Sequence, residues 1–287
     1  MWNPFNRNTI SNSSASKRSL QLITQKGMPF AYVEAYKALR TNLNFLSGSG
    51  DVHAFVVTST VPEEAKSNVS VNLALALTES GKKVVLVDCD LRKPVLHRYL
   101  KAGHNLKGVS NVLSRQVALS DALVELKGIP NLTFLPAGTT PPNPSELLSQ
   151  PQMQEMVNTL RGSYDFVILD APPISMVTDA AVIGRIVDGA LFVVRSKYAS
   201  TDAVKTSLEK LQDAGVKVLG AVLTRYDAKK SLKRSDYGYG YYYYNSNYSY
   251  GPPPDGISES AAKKSGLTSK KQHNGKEKHS VHTEDEA

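Results

Sequence analysis

Short apolar runs bounded by turn residues recur along the chain at 54–57, 83–87, 132–135, 166–169, 190–194 and 216–223. Most show no alternation of apolar and polar positions, the mark of strands covered on both faces. Between them the apolar period lengthens to that of a helix, at 67–79, 151–160, 178–186 and 202–214, the last followed by Gly215 as a C-terminal cap. A further helix is predicted over 33–46, where Tyr36, Leu39, Leu43 and Leu46 share one face, so that order begins near Tyr32. Strands alternating with helices predict an α/β fold, a doubly wound and mostly parallel sheet with helices on both faces. Residues 1–31 are rich in Asn, Ser and Thr without a lasting period, and 251–287 carry Lys, Ser and Gly with no apolar face. The expected organisation is a flexible segment 1–31, one folded domain 32–226, a basic and tyrosine-rich tail 227–250, and a disordered tail 251–287.

Composition narrows this. A chain of 287 residues with 41% hydrophobic content holds one sizeable core with tails. The single cysteine, Cys89, excludes an intramolecular disulfide framework, and its place in an apolar strand between Asp88 and Asp90 predicts a buried, inert thiol suited to a reducing cytoplasm. No run approaches the roughly 18–20 apolar residues of a membrane span, and no apolar N-terminal stretch resembles a secretory signal. The expectation is a cytoplasmic protein that neither crosses a membrane nor is secreted. The net charge of +8 is spread over body and tails, with Lys229, Lys230, Lys233 and Arg234 just ahead of the tyrosines. No block is dense enough for a dedicated polybasic site, so the tail reads as solvated and no nucleic acid is expected as a partner.

Eight tyrosines, Tyr237, Tyr239, Tyr241, Tyr242, Tyr243, Tyr244, Tyr248 and Tyr250, crowd a stretch interleaved with Gly, Asn and Ser and followed by three prolines. Aromatic residues normally bury area, but this composition disfavours both helix and sheet. Hydroxyls in such a tail are open to a phosphoryl donor, and each phosphate adds about −1.5 to −2 charge, a charge switch in the making. The competing reading is a low-complexity assembly tract.

In a doubly wound sheet, ligands bind beyond the carboxyl ends of the strands. Three of these ends carry chemistry. After 54–57, Lys66 and Ser67 match the end of G-x-x-x-x-G-K-[ST], with the lysine for phosphate charge, the serine hydroxyl for Mg²⁺ and helix N-terminal amides facing the anion. Thr60 and Ala65 stand at the two glycine positions. A positive φ at residue 65 costs an alanine about 1–2 kcal/mol, and Glu63 and Glu64 place carboxylates near the expected phosphates. After 83–87, Asp88 and Asp90 emerge on the same side of a buried strand, where two carboxylates are costly without a cation or a proton in transit. After 166–169, Asp170 ends another apolar strand before a Pro-Pro turn. Each alone reads more readily as a helix cap or a solvated turn than as a site, but three in one order on one sheet edge read as a site.

These residues resemble the bacterial tyrosine kinases of capsule and exopolysaccharide synthesis, members of the deviant Walker P-loop ATPases. The likeness spans roughly residues 32–250. It rests on Lys66-Ser67, VVLVDCDLRKP, VILDAPP, VTDA and DGALFVVR in order, and on EAYKALRTN, PAGTTPPNPSELL and the tyrosine tail outside the shared nucleotide site. The resemblance implies ATP and Mg²⁺ as cofactors and a P-loop fold. In it, Pro62, Glu63, Glu64, Ala65, Lys66, Ser67 and Asn68 form the Walker A loop, Asp88 and Asp90 the Walker A′ pair and Asp170 the Walker B residue. Lys66 would serve the phosphates, Ser67, Asp90 and Asp170 the metal, and Asp88 the proton of the acceptor hydroxyl, with the eight tail tyrosines as phosphoacceptors.

The family also implies a ring in which one subunit offers its tail to the next, through an E-x-x-R-x-x-R helix motif represented here by Glu34, Lys37 and Arg40. Phosphorylation of the tail would then favour dissociation of the ring through charge repulsion. It implies a separate membrane-embedded chain-length regulator as activator, recruitment through it to the inner face of the membrane, and a phosphotyrosine phosphatase. Two nucleotide contacts depart from the family pattern: its P-G-E-G-K-[ST] loop reads Pro62-Glu63-Glu64-Ala65-Lys66-Ser67 here, and its adenine-contacting Asn is Thr224. The competing readings are a pseudokinase scaffold, favoured by the lost glycines, and a partition-type ATPase, opposed by the tail.

Overall fold

The computed structural model describes residues 21–48 and 52–226; the tyrosine cluster 237–250 and the basic residues before it lie outside them. Seven strands form one sheet: β1 (Ala54–Ser59), β2 (Val84–Asp88), β3 (Val124–Glu125), β4 (Leu132–Leu135), β5 (Phe166–Asp170), β6 (Ala190–Arg195) and β7 (Val218–Thr224). Their order across the sheet is β3-β4-β2-β5-β1-β6-β7. All pairings are parallel except the β3–β4 edge pair. The main helices are α1 (Phe30–Gly48), α2 (Lys66–Glu79), α7 (Pro151–Arg161) and α9 (Thr201–Asp213). Shorter ones are α3 (Leu96–Tyr99), α4 (Val109–Leu113), α5 (Leu119–Ala122), α6 (Pro144–Leu148) and α8 (Asp179–Gly184).

The central strands are fully buried because apolar clusters cover both sides of the sheet. One packs Val56, Val85, Leu135, Val167 and Phe192 against α7 and α8, and the other packs Phe55, Leu86, Phe134 and Ile168 against α1 and α2. Helix α2 is buried around almost its whole circumference, from Val69 to Thr78, because it lies between α1 and the sheet. The sequence reading needs three corrections. Strand β7 is half exposed, with Leu223 53% accessible, because it is an edge strand rather than one covered on both faces. The helix expected over 178–186 spans only Asp179–Gly184, since the chain turns back at Ile186 toward β6. Order starts before residue 32: Ile23 is buried, and its amide donates to Asn72 Oδ1 of α2 at 2.8 Å.

The topology reverses direction around β1, whose neighbours are β5 on one side and β6 on the other. That is where an open α/β sheet leaves a crevice at the carboxyl ends of its strands. The opposite end of β1 is fixed by Asp188, which accepts from the amides of His53 and Ala54 at 2.7 and 2.8 Å and from the Arg161 guanidinium at 2.8 and 3.0 Å. Partial burial alone would raise its pKa. The Arg161 and backbone donors outweigh that and hold the carboxyl below the usual range.

A depressed carboxyl contributes stability above its unfolded pKa and loses it as pH falls through the folded value. Asp188→Asn should therefore lower the unfolding free energy at pH 7 by about 1–2 kcal/mol. In urea titrations followed by circular dichroism, the gap between the two proteins should close as pH drops below about 4.

Candidate active site

The loop between β1 and α2 is shaped by two non-glycine residues in left-handed conformation, Glu63 at φ 70° and Ala65 at φ 71°. They occupy the two positions where the family pattern has glycine, so the geometry survives although the glycines do not. The loop is braced by Glu64. Its buried carboxylate accepts from the amides of Val61 at 2.9 Å and Arg195 at 3.2 Å, and its carbonyl accepts from the Thr224 hydroxyl at 2.9 Å. The expectation that Glu64 crowds the phosphates is thereby overturned, because its side chain points toward the amides of Val61 and Arg195 and serves as an internal tie. Glu63 also lies on the outer side of the loop: its carbonyl accepts from Arg195 at 3.3 Å, and its carboxylate lies 3.5 Å from the Tyr198 hydroxyl. Thr224, read as a lost adenine contact, is a loop anchor in this chain.

Behind the loop the three acidic strand ends converge. Asp88 and Asp170 are register partners on adjacent strands, since β2 and β5 pair in parallel up to that rung. Lys66 Nζ lies 3.2 Å from Asp170 and 3.3 Å from Asp90. The Ser67 hydroxyl donates to Asp170 Oδ2 at 2.6 Å, and Ser70, one helical turn on, donates to Asp170 Oδ1 at 2.9 Å. Asp90 accepts from the Lys93 amide at 3.0 Å. Asp88 accepts from the amides of Asp90 and Leu96, both at 3.2 Å.

Electrostatics follow from this packing. Burial pushes the Asp88 carboxyl up, Asp170 and Asp90 add to it, and Lys66 partly offsets them, leaving the group at about 8. For Lys66, burial alone would lower the pKa, but the three carboxylates reverse the sign and hold the ammonium charged. The Cys89 thiol is buried and raised well above its ordinary value by burial first and the surrounding aspartates second, so it is inert as expected.

The structure thus brings together Lys66, Ser67, Asp88, Asp90 and Asp170. It places others elsewhere. Asn68 turns toward α1, its side-chain oxygen accepting from Tyr32 and Tyr36, both at 3.0 Å, so its side chain is engaged in packing within the chain. Pro62 is exposed at the loop apex. On α1, Lys37 pairs with Glu34 at 2.8 Å and Arg40 donates to the Ala76 carbonyl at 2.9 Å, so within one chain these groups are engaged internally. Sequence reasoning missed Ser70, although its spacing of three from Ser67 puts both on one helical face. It also missed the bridge in which Arg92 donates to both Asp179 oxygens, at 3.0 and 3.1 Å, and to Ser145 at 2.7 Å. Nothing local marks that bridge, which joins three distant segments.

A nucleotide and Mg²⁺ fit this donor set. Three carboxylates face a single ammonium, a buried negative excess that calls for a cation. The Thr60 hydroxyl, at the start of the loop, is buried without a partner. Among the described residues no three His, Cys, Asp or Glu side chains form a group that could cage a metal. Mg²⁺ is usually held by one or two carboxylates together with substrate phosphates.

An open α/β sheet with such a loop, lysine and carboxylates at its switch point defines a P-loop nucleoside triphosphatase. Comparisons agree. An AAA domain family matches residues 64–218. The tyrosine-protein kinase YwqD of Bacillus subtilis (strain 168) is 37% identical over 205 residues, covering 71% of this chain and 84% of that protein. The kinase domain of Escherichia coli tyrosine kinase ETK has a TM-score of 0.64 at 34% identity, over 68% of this chain and 77% of its own. The septum site-determining protein MinD of Pyrococcus horikoshii OT3, complexed with Mg-ADP, has a TM-score of 0.53 at 26% identity, over 61% and 71%. The chain belongs to the bacterial tyrosine-protein kinase family.

A left-handed alanine costs about 1–2 kcal/mol, while a glycine adds about 0.4–1 kcal/mol of unfolded-state entropy. Ala65→Gly should therefore stabilise the protein by about 0.5–1 kcal/mol net in chemical denaturation. Glu64→Ala, which strips two amides of a charged acceptor, should destabilise it by about 3–6 kcal/mol. Destabilisation by the glycine or neutrality of the alanine would contradict the loop geometry.

Proposed function

We propose that this tyrosine kinase transfers the γ-phosphoryl group of Mg-ATP to the tyrosines of its own C-terminal cluster, Tyr237 to Tyr250, offered by a neighbouring copy in a ring. The observation that carries the reading is the convergence of Lys66, Ser67, Asp90 and Asp170 around one point behind a left-handed loop. Family membership supports the reaction class, and the MinD complex supports a magnesium-bound nucleotide. Bound Mg²⁺ would neutralise charge on the transferring phosphates. Lys66 then meets the phosphates from the helix N-terminus, exchanging its carboxylate partners for phosphate oxygens. Ser67 and Asp90 hold the metal directly or through water, and Asp170 orients Ser67. Asp88 takes the proton of the acceptor hydroxyl. Because Asp88 is fully buried, that role requires the segment 89–95 to shift and admit the tyrosine.

Glu34, Lys37 and Arg40 are proposed as the ring contact, with exchange of their internal partners for those of the neighbour. A separate membrane-embedded chain-length regulator is the proposed activator, recruiting the chain to the inner face of the membrane, and a phosphotyrosine phosphatase resets the tail. The proposed output is control of capsular or exopolysaccharide synthesis and export. Among the described residues no helix is long and apolar enough to cross a membrane. The scaffold reading loses its main support, since the glycine-free loop keeps the left-handed φ angles and its lysine stays charged.

Intact mass of purified protein with Mg-ATP, with and without an activator fragment, should show added phosphate on the unmutated chain and none on Lys66→Ala. Asp88→Ala should lose at least about two orders of magnitude in rate, the range of a positioned general base, while nucleotide affinity stays nearly intact. An unaffected rate in Asp88→Ala would remove it from the chemistry. No phosphate and no nucleotide binding in the unmutated chain would return the scaffold reading.

A further inference from the structure

From Leu91 to Ser120 the sequence holds six fixed cations, Arg92, Lys93, Arg98, Lys101, Lys107 and Arg115, and no carboxylate at all. Only Arg92 is neutralised, by Asp179; the other five have no ion pair among the described residues. Part of this segment folds around an open hollow of about 360 Å³ lined by His97, Arg98, Lys101, Gly103 and His104. Left-handed conformations at Lys101, Gly103 and Asn105 reverse the chain after α3, which brings the His104 ring to 6.1 Å from that of His97, centroid to centroid. Burial, then Arg98, then His104 hold the His97 pKa below its usual range, as expected where positive groups face one another without an anion.

The hollow is tied to the chemistry. Asp88 accepts from the amide of Leu96, the first residue of α3, and His97 and Arg98 follow directly. The acidic centre and the basic hollow are therefore joined through one short helix. A concave surface with an arginine, a lysine and two imidazoles suits a discrete dianion better than a flat one, since the arginine and the lysine can give charge-assisted hydrogen bonds to its three terminal oxygens and the imidazoles can donate beside them.

We propose that this hollow binds a phosphate monoester, namely a phosphotyrosine of the C-terminal cluster from the same or a second copy. The occupant is argued from the sequence: the chain carries eight tyrosines in fourteen consecutive positions, so once one is phosphorylated further acceptors lie beside it. A phosphotyrosine seated beside α3 keeps the tail at the acid cluster while another tyrosine enters, and the cations of the hollow offset the repulsion that its charge feels from Asp88, Asp90 and Asp170. Tail modification then favours further modification. This role rests on the autophosphorylation reading; the binding itself does not.

Fluorescence polarisation with synthetic peptides spanning 235–252, unphosphorylated or carrying one phosphotyrosine, measures the binding on the full-length protein without ATP. The phosphopeptide is expected to bind at least about tenfold tighter, one charge-assisted contact's worth. Arg98→Gln with Lys101→Gln, both exposed and remote from the core, should erase that gain. Phenyl phosphate should compete at millimolar concentration. Equal affinity of the two peptides, or a gain that survives the double substitution, would overturn the proposal, as would competition by phenyl phosphate without any peptide preference. Because the peptides are synthetic, a chain that never phosphorylates itself but prefers the phosphopeptide would sink the kinase reading and leave the site standing.

Discussion

Three aspartates at the ends of two adjacent strands set the terms for the rest of this molecule. Asp88 and Asp170 are fully buried and Asp90 nearly so, and among the described residues the Lys66 ammonium is the one fixed cation within hydrogen-bonding reach of them. Removing carboxylates from water is expensive unless something positive or a proton answers them. The protein supplies the lysine, the hydroxyls of Ser67 and Ser70, the amides of Asp90, Lys93 and Leu96, and an elevated Asp88 pKa of about 8. The arrangement is still short of positive charge. That shortage makes the stability of the crevice and its chemistry the same problem.

The loop that faces the cluster shows how a phosphate cradle persists without its glycines. Two left-handed residues, Glu63 and Ala65, carry a strain of about 2–4 kcal/mol together. Opposing it are charged-acceptor hydrogen bonds at Glu64 of about 1.5–3 kcal/mol each and the Thr224 tie to β7. The terms are of similar size, so the conformation can stand. Glu64 and Thr224 thus take over, by tertiary contact, a task that glycine performs by backbone freedom alone. The same contacts fasten the loop to the β6–β7 edge, so the position of the edge strands bears on the nucleotide side.

On the other flank, Arg92 holds Ser145 and Asp179 in one bridge, fixing the chain that leaves Asp90 against the start of α6 and α8. The segment beyond it carries unmatched positive charge while the crevice carries unmatched negative charge. Between these two fields lies only the first turn of α3.

The sequence by itself determined the sheet and the identity of the acid cluster. Strands β1, β2, β4, β5 and β6 were legible because a strand buried on both faces is apolar at nearly every position, and turn residues bound each of these short runs. Asp88, Asp90 and Asp170 were legible because a carboxylate ending such a run has no cheap structural excuse. The short helices α3 to α6 were not, since helices of four or five residues have too few turns to show a period. Only the tertiary structure decided where Glu64, Asn68 and Thr224 face, because each finds its partner far away in sequence. It also decided that Ala65 adopts a left-handed turn, that β7 stands half open at the sheet edge, and that Arg98, Lys101 and two histidines share one hollow. Residue type and spacing fix what a side chain can offer; the partner across the fold fixes which offer is taken.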